Sequence, residues 1–236
     1  MRPKMVLFGD SITEESFNNS GWGACLTHQF ARVLDIQLRG YSGYNTRWAL
    51  KVLKKVFPRE EKEAPVAITV FFGANDAALP DRTSAYQHVP LDEYKHNLHS
   101  IVSFFKERWP STLVILITPP PIDEAGRLEN PFVEDTFGLP ERTNKAAGAY
   151  AKACVSVAEE YKIPVINLWN RMQKFPNWEK LMLRDGLHLT CAGNKLVFDD
   201  LIMTLRKEGL SLDTLPLDLP ALSEIDPNDP LKSFEM

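Results

Sequence analysis

The sequence predicts an α/β protein in which one sheet of parallel strands lies between two layers of helices. Short apolar runs rich in β-branched residues alternate with longer stretches of helical periodicity, which is typical of parallel strands joined by crossover helices. Five such strand–helix units fill most of the 236 residues, a length that suits one α/β domain. We therefore expect a three-layer, flavodoxin-like doubly wound fold with five parallel strands.

The apolar runs and the helical periods define the individual elements. The predicted strands are Met5–Phe8, Ile36–Leu38, Val66–Phe72, Leu113–Ile117 and Pro164–Leu168. The predicted helices are Gly23–Leu34, Thr46–Phe57, Leu91–Trp109, Pro140–Tyr161 and Ala192–Lys207.

Two stretches do not fit a strand or a helix. Residues 118–138 contain four prolines and are predicted to form a long loop after the fourth strand, a candidate wall or lid for a site. Residues 211–236 are rich in proline and acidic residues and are predicted to be an extended or partly disordered tail. The sequence thus divides into a domain of residues 1–210 and a C-terminal tail.

Composition excludes several classes of protein. The net charge of −4 comes from the tail, which carries −5, so that residues 1–210 carry only +1. No clustered basic stripe is present, which argues against a nucleic-acid partner. No apolar run approaches the ~20 residues of a membrane span. The three cysteines have no Cys-x-x-Cys spacing, which predicts free, mostly buried thiols in a cytoplasmic protein.

Four loops that follow predicted strands carry polar residues or glycine. They are Gly9-Asp10-Ser11-Ile12, Ser42-Gly43-Tyr44-Asn45, Gly73-Ala74-Asn75-Asp76 and Asp185-Gly186-Leu187-His188. In a doubly wound sheet, ligands bind at the carboxyl ends of the strands, near the point where the strand order reverses. We therefore expect these four loops to line one crevice.

The residue types in these loops suit nucleophilic catalysis, although each has a simpler structural interpretation. Ser11 could belong to an ordinary turn, and Gly43 could serve only a turn or let a backbone N–H approach a ligand. Asn75 could cap a loop or donate its amide to a developing oxyanion. Asp185 lies three residues before His188, so its carboxylate could orient the imidazole or simply stabilise a helix N-terminus.

Taken together, these loops resemble the four signature blocks of the SGNH (GDSL-type) hydrolases, in the same order and over residues ~6–190. Gly21-Trp22-Gly23 and Thr118-Pro119-Pro120-Pro121 further resemble the isoamyl acetate-hydrolysing esterase branch, which includes plant GDSL esterases. Ile12 stands where the family name has leucine, an apolar exchange that leaves the chemistry unaffected.

The resemblance implies a metal- and cofactor-independent serine esterase. Ser11 would be the nucleophile, His188 the general base and then acid, and Asp185 the residue that fixes the imidazole tautomer. The oxyanion hole would consist of the backbone N–H groups of Ser11 and Gly43 with the Asn75 side chain. Asp10 would brace the loop and take no part in catalysis.

Other functions would leave some of these residues without a role or would need residues that the sequence lacks. A flavin- or phosphate-binding module could use Ser11 and Thr13, but it would leave Asn75, Asp185 and His188 without a role. A phosphatase with Asp10 as nucleophile would need a second acid at position 12 and a metal. A general α/β-hydrolase would need glycine at position 44, two residues after Ser42. His96 and His99 lie three apart on a predicted helix without further metal ligands.

The net charge and the aromatic residues give the expected substrate. The nearly neutral domain favours a small uncharged ester, and Phe17, Trp22, Phe132 and the proline-rich loop are expected to form an apolar wall that suits short acyl chains such as acetate. The alternative is an acetylesterase that acts on a decorated carbohydrate or metabolite.

Overall fold

The computed structural model describes residues 2–60, 63–131 and 138–234. Its sheet has five strands, all parallel, in the order β2-β1-β3-β4-β5. This is the flavodoxin-like order, so the predicted fold class is confirmed. The strands are β1 (Lys4–Gly9), β2 (Asp35–Gly40), β3 (Ala67–Phe71), β4 (Leu113–Ile117) and β5 (Val165–Ile166).

Helices connect the strands and cover both faces of the sheet. In the described part of the chain they are α1 (Ser11–Glu14), α2 (Trp22–Gln29), α3 (Thr46–Val56), α4 (Leu91–Arg108), α5 (Glu124–Glu129), α6 (Asn144–Tyr161), α7 (Leu168–Met172), α8 (Trp178–Met182) and α9 (Cys191–Lys207). Short 3₁₀ turns occupy Glu15–Phe17, Ala85–Gln87, Leu222–Glu224 and Lys232–Phe234. None of these helices is both long and apolar enough to cross a membrane.

The two faces of the sheet bury two separate apolar cores, because successive side chains of a strand point to opposite faces. Met5 and Leu7 of β1 pack with α2 and α9 on one face. Val6 and Phe8 of the same strand pack with α3, α4 and α6 on the other face. These two cores produce the predicted three layers.

Three details differ from the sequence prediction. The strand predicted at Pro164–Leu168 is only two residues long, because the Asn167 side chain caps α7 and Leu168 already belongs to that helix. The stretch 118–138 is not entirely a loop, since α5 lies within it. All three cysteines are free, but only Cys154 is buried, so the expectation of mostly buried thiols was wrong.

The tail is held against the domain by polar contacts as far as residue 220. Asp218 forms ion pairs with Arg2 at 2.9 Å and Arg32 at 3.2 Å. The Arg32 guanidinium also donates to the carbonyls of Leu219 at 2.6 Å and Pro220 at 3.1 Å. The boundary at residue 210 stays a prediction.

Candidate active site

The reversal of strand order brings three of the four predicted loops to one edge of the sheet. Strands β2 and β3 flank β1 on either side, so the loops that follow these three strands lie next to one another. Ser11 follows β1, Gly43 follows β2 and Asn75 follows β3. The turn with Asp185 and His188 comes after β5 and directly before α9, and the contacts below bring it to the same edge.

The hydroxyl of Ser11 lies at the N-terminus of α1, where the chain leaves β1. Asp10 caps this helix, since its Oδ1 accepts a hydrogen bond from the Ile12 N–H at 3.0 Å. This contact agrees with the bracing role expected for Asp10. Ser11 is only 7% exposed, but its hydroxyl borders a cavity. Its backbone N–H belongs to the first turn of the helix and has no partner within that helix.

Ser11, His188 and Asp185 form a continuous chain of hydrogen bonds. The Ser11 Oγ lies 3.0 Å from His188 Nε2. On the other side of the ring, His188 Nδ1 lies 2.7 Å from Asp185 Oδ2. Both distances are within the normal range for hydrogen bonds. The chain joins residues 177 positions apart in sequence.

The Asp185 carboxylate is fixed by several donors. Its Oδ1 accepts from the backbone N–H groups of Leu187 at 3.0 Å and His188 at 2.8 Å. Burial raises the pKa of this carboxyl, but the hydrogen bond from His188, its charge and the two backbone donors outweigh burial and hold the pKa well below its usual range. Asp185 is therefore ionised at neutral pH.

The turn that carries these residues requires a glycine. Gly186 has a φ of +84°, and a Cβ there would lie 2.4 Å from the Asp123 carbonyl oxygen. Asp123 immediately precedes α5. The stretch predicted as a loop therefore packs directly against the Asp185–His188 turn.

Gly43 and Asn75 face the same space as Ser11. Gly43 has a φ of +77°, a conformation that favours glycine. The Asn75 Nδ2 donates to the Tyr44 carbonyl at 2.8 Å, which uses one of its two hydrogens. The second hydrogen of that amide and the Gly43 backbone can therefore address a group bound beside Ser11.

These groups line a cavity of about 280 Å³. It is bordered by Ser11, Ser42, Gly43, Trp48, Asn75, Tyr86, Gln87, Arg127, Arg142, Leu187 and His188. Asp185 lies behind His188, as the hydrogen-bond chain requires.

The expectation of an apolar wall was wrong for Trp22 and Phe17, which do not line the cavity. Trp22 is completely buried, and its indole Nε1 donates to the Ile12 carbonyl at 3.2 Å, because α2 packs inside the core. Phe17 does not border the cavity, and Phe132 lies outside the described residues. The observed lining includes two aromatic side chains, Trp48 and Tyr86, and two arginines.

Sequence reasoning missed the arginines, Arg127 and Arg142, and their shared partner Glu141. All three are at least 96% buried, and they belong to or closely follow the proline-rich stretch that the sequence predicts as a candidate wall. The charged residues in and after that stretch were the one sequence feature that pointed to these side chains. It could not indicate which charged residues point inward.

Two further carboxyl groups are buried near the site. Burial raises the pKa of Asp10 to about 7, although the Ile12 N–H and the charge of His188 oppose this shift. Burial also raises the pKa of Asp76 to about 7, against hydrogen bonds from the Thr46 hydroxyl and backbone. The Asp76 Oδ1 accepts the Thr46 N–H at 3.0 Å, which fixes the start of α3 behind Gly43.

The alternative interpretations fit the geometry less well. Thr13 is fully buried and its hydroxyl has no hydrogen-bond partner, so it cannot help Ser11 to hold a phosphate. His99 is paired with Glu160 at 2.9 Å. Within residues 2–60, 63–131 and 138–234, no group of three or more His, Cys, Asp or Glu side chains is arranged to hold a metal ion.

Comparison with curated proteins finds relatives along the whole chain. A GDSL esterase/lipase of Arabidopsis thaliana is 60% identical over 238 residues, covering 100% of this chain and 99% of the relative. The isoamyl acetate-hydrolyzing esterase 1 homolog of Rattus norvegicus is 44% identical over 227 residues, covering 95% and 90%.

Solved structures share the fold. A lipase/acylhydrolase from Enterococcus faecalis superposes with a TM-score of 0.71 at 26% identity, covering 93% of this chain and 100% of that chain. An acetyl-xylooligosaccharide esterase from Geobacillus superposes with a TM-score of 0.65 over 87% of this chain and 95% of that one. At 19% identity, this second likeness concerns the fold alone.

The model of one family, described as GDSL-like Lipase/Acylhydrolase, matches residues 5–201. This range contains Ser11, Gly43, Asn75, Asp185 and His188. The chain belongs to the GDSL-like lipase/acylhydrolase family.

Proposed function

We propose that the protein is a carboxylic ester hydrolase that works through an acyl-serine intermediate. The observation that carries the proposal is the hydrogen-bond chain from Ser11 through His188 to Asp185, at 3.0 and 2.7 Å. A serine hydroxyl is a weak nucleophile until a base accepts its proton. His188 Nε2 lies close enough to Ser11 to act as this base, and the Asp185 carboxylate, on the other side of the ring, can orient the imidazole.

The Asp185 carboxylate determines which ring nitrogen acts on Ser11. Because it accepts the proton of His188 Nδ1, the neutral ring presents the Nε2 lone pair to the Ser11 hydroxyl. As Ser11 Oγ bonds to the ester carbonyl carbon, its proton moves to Nε2. The imidazolium then gives this proton to the departing alkoxide, which leaves as the alcohol. Water repeats the sequence on the acyl-serine and releases the carboxylic acid.

The oxyanion of the tetrahedral intermediate would be held by three donors. These are the backbone N–H groups of Ser11 and Gly43 and the Nδ2 of Asn75. Donors that are positioned before the reaction stabilise charge as it develops, and the loss of one typically costs roughly 10²–10³ in kcat. Two of the three are backbone groups, so Asn75 is the donor that mutation can remove.

The charges around the cavity favour an uncharged substrate. Two cationic side chains, Arg127 and Arg142, are matched by two carboxylates, Glu141 at 2.8 Å from both and Asp185 at 3.5 Å from Arg127. No unmatched charge of this group remains to attract an ionic ester. The cavity volume of about 280 Å³ suits a short acyl group, and a relative named as an isoamyl acetate-hydrolyzing esterase agrees with acetate-type esters.

The second candidate is an acetylesterase for a decorated carbohydrate or another acetylated metabolite. Trp48 and Tyr86 stack at 6.3 Å with an interplanar angle of 22°. Both border the cavity, and Tyr86 is 58% exposed. An exposed aromatic surface beside the nucleophile can bind a bulky alcohol portion. Relative rates with acetate to about decanoate esters and one acetylated sugar distinguish the two substrates.

The serine mechanism is tested by replacing the nucleophile. Ser11→Ala is assayed on a small chromogenic acetate ester, with Ser100→Ala, on the surface of α4, as a matched control. We expect Ser11→Ala to lose nearly all turnover and the control to keep it. Turnover by Ser11→Ala at the wild-type rate would overturn the mechanism.

The cytoplasmic location stays a prediction that rests on the three free thiols.

A further inference from the structure

Two buried arginines border the cavity, and the proposed reaction uses neither of them. Arg127 and Arg142 are each 3% exposed, and Glu141 between them is 4% exposed. The Glu141 Oε1 accepts from Arg127 Nε and from Arg142 Nη1, both at 2.8 Å. Burying charges costs free energy unless their hydrogen bonds are well made. The position of this cluster beside the nucleophile therefore indicates a functional reason for it.

Arg142 contacts the side chain that would hold the oxyanion. Its Nη2 donates to Asn75 Oδ1 at 3.1 Å, and its Nε donates to the neighbouring Ala74 carbonyl at 2.9 Å. A guanidinium has donors only, so the Asn75 amide must present its oxygen to Arg142. The amide cannot rotate by 180°, and its Nδ2 is held on the side of the Tyr44 carbonyl and the cavity.

The same guanidinium also supports the second donor of the oxyanion hole. Arg142 Nη2 donates to Gln87 Oε1 at 2.7 Å. The Gln87 Nε2 in turn donates to the Gly43 carbonyl at 3.0 Å. Gly43 is therefore connected to Arg142 through a single side chain.

Arg127 contacts Asp185, the carboxylate at the end of the hydrogen-bond chain. Its Nη1 donates to the Asp185 backbone carbonyl at 3.0 Å and lies 3.5 Å from Asp185 Oδ2. Through Glu141, the two arginines thus link the turn that holds Asp185 to the loops that hold Asn75 and Gly43.

From these contacts we propose that Arg142 is a positioning residue for the oxyanion hole, held in place by Glu141 and acting mainly through Asn75. This inference rests on the proposed serine mechanism. Arg142 does not need to touch the substrate. Its effect is to keep the Asn75 amide in the orientation that the developing oxyanion requires, before the reaction begins.

A double-mutant cycle between Arg142 and Asn75 tests this role. Arg142→Met removes the donors and keeps most of the side-chain volume. We expect kcat to fall by roughly 30- to 100-fold with KM within about threefold, because a misplaced donor is lost in the transition state and not in substrate binding. In an Asn75→Ala background the same change should lower kcat by only about threefold, the remainder acting through Gln87 and Gly43.

Two controls distinguish positioning from a general loss of structure. Arg171→Met removes another paired arginine, which contacts Asp200 through two hydrogen bonds at 2.9 and 3.0 Å away from the cavity, and should leave kcat within twofold. Titration with a fluorophosphonate counts the competent active sites, so that kcat refers to folded enzyme. If Arg142→Met does not fold, Arg142→Lys is used in the same cycle.

The outcomes separate the two proposals. Equal losses in both backgrounds, or a loss expressed mainly in KM, would overturn the role of Arg142 and leave the serine mechanism in place. Full turnover by Ser11→Ala in the same assay would overturn the serine mechanism itself. The positioning role is supported if the fold decrease in kcat caused by Arg142→Met is at least about tenfold smaller in the Asn75→Ala background.

Discussion

Replacing Asp185 by asparagine should disrupt the hydrogen-bond chain from Ser11 through His188 to Asp185 while preserving the shape of the site. The two backbone donors at 3.0 and 2.8 Å both point at Asp185 Oδ1. The asparagine oxygen must occupy this position, since an NH₂ group there would face two N–H groups. The asparagine NH₂ then lies at the position of Oδ2, 2.7 Å from His188 Nδ1.

This geometry determines the size of the effect. A donor opposite Nδ1 favours the tautomer with its proton on Nε2, which cannot accept the proton of Ser11. The equivalent change in a serine protease costs about 10⁴ in kcat. We expect a fall of about 10³–10⁴ here, or roughly 4–5.5 kcal/mol of transition-state stabilisation, with KM within severalfold of the wild type.

Steady-state hydrolysis of a chromogenic acetate ester at neutral pH measures this effect. Asp199→Asn is the matched control, because Asp199 pairs with Lys195 on the surface of α9 at 2.7 Å and should tolerate the change. Thermal unfolding of both variants confirms that the comparison concerns folded protein. A kcat for Asp185→Asn within tenfold of the wild type would refute the assignment of Asp185.

Three further predictions follow from the same structure. Asn75→Ala should lower kcat by roughly 10²–10³ with little change in KM, because the amide acts on the transition state; a rise confined to KM would show ground-state binding instead. Asp10 has a folded-state pKa of about 7, above its unfolded value, so its contribution to stability is complete at acid pH and is lost as the pH rises from about 4 to 7. Denaturant titrations should therefore show that the free energy of unfolding of the wild type, relative to that of Asp10→Asn, falls by about 1–3 kcal/mol over this range. If the free energies of unfolding of the two proteins changed with pH in parallel, the raised pKa would be contradicted. Trp22→Ala should cost about 3–5 kcal/mol of stability, since a fully buried indole and its bond to Ile12 are lost; a loss below 1 kcal/mol in denaturant titrations would contradict the core position of Trp22.

The fold and the positions of the candidate site residues could be predicted because most of this information is local in the sequence. Strands β1, β3, β4 and β5 are mainly apolar, whereas the apolar residues of β2 are Ile36 and Leu38. Ser11, Asn75 and the Asp185–His188 turn each lie within a few residues of a strand end or helix start. Parallel strands then bring the Ser11 and Asn75 loops to one edge without any knowledge of side-chain contacts, whereas the Asp185–His188 turn reaches that edge through its hydrogen bond to Ser11. The strand order follows from the same connectivity.

The supporting residues could not be predicted in this way. Arg142 contacts Asn75 across 67 positions and Gln87 across 55 positions, and no local pattern distinguishes it from a surface arginine. Trp22 was misplaced for a related reason, since an aromatic residue at a helix start can face either the core or a cavity. Such choices depend on how the finished layers pack.

The proposed mechanism requires that Ser11 becomes covalently acylated. Its most direct test is to inactivate the enzyme with a fluorophosphonate, digest it and locate the adduct by mass spectrometry. The mechanism predicts one adduct per chain, on the peptide that carries Ser11, in proportion to the lost esterase activity, and none in Ser11→Ala. Inactivation with the adduct on another residue would contradict it.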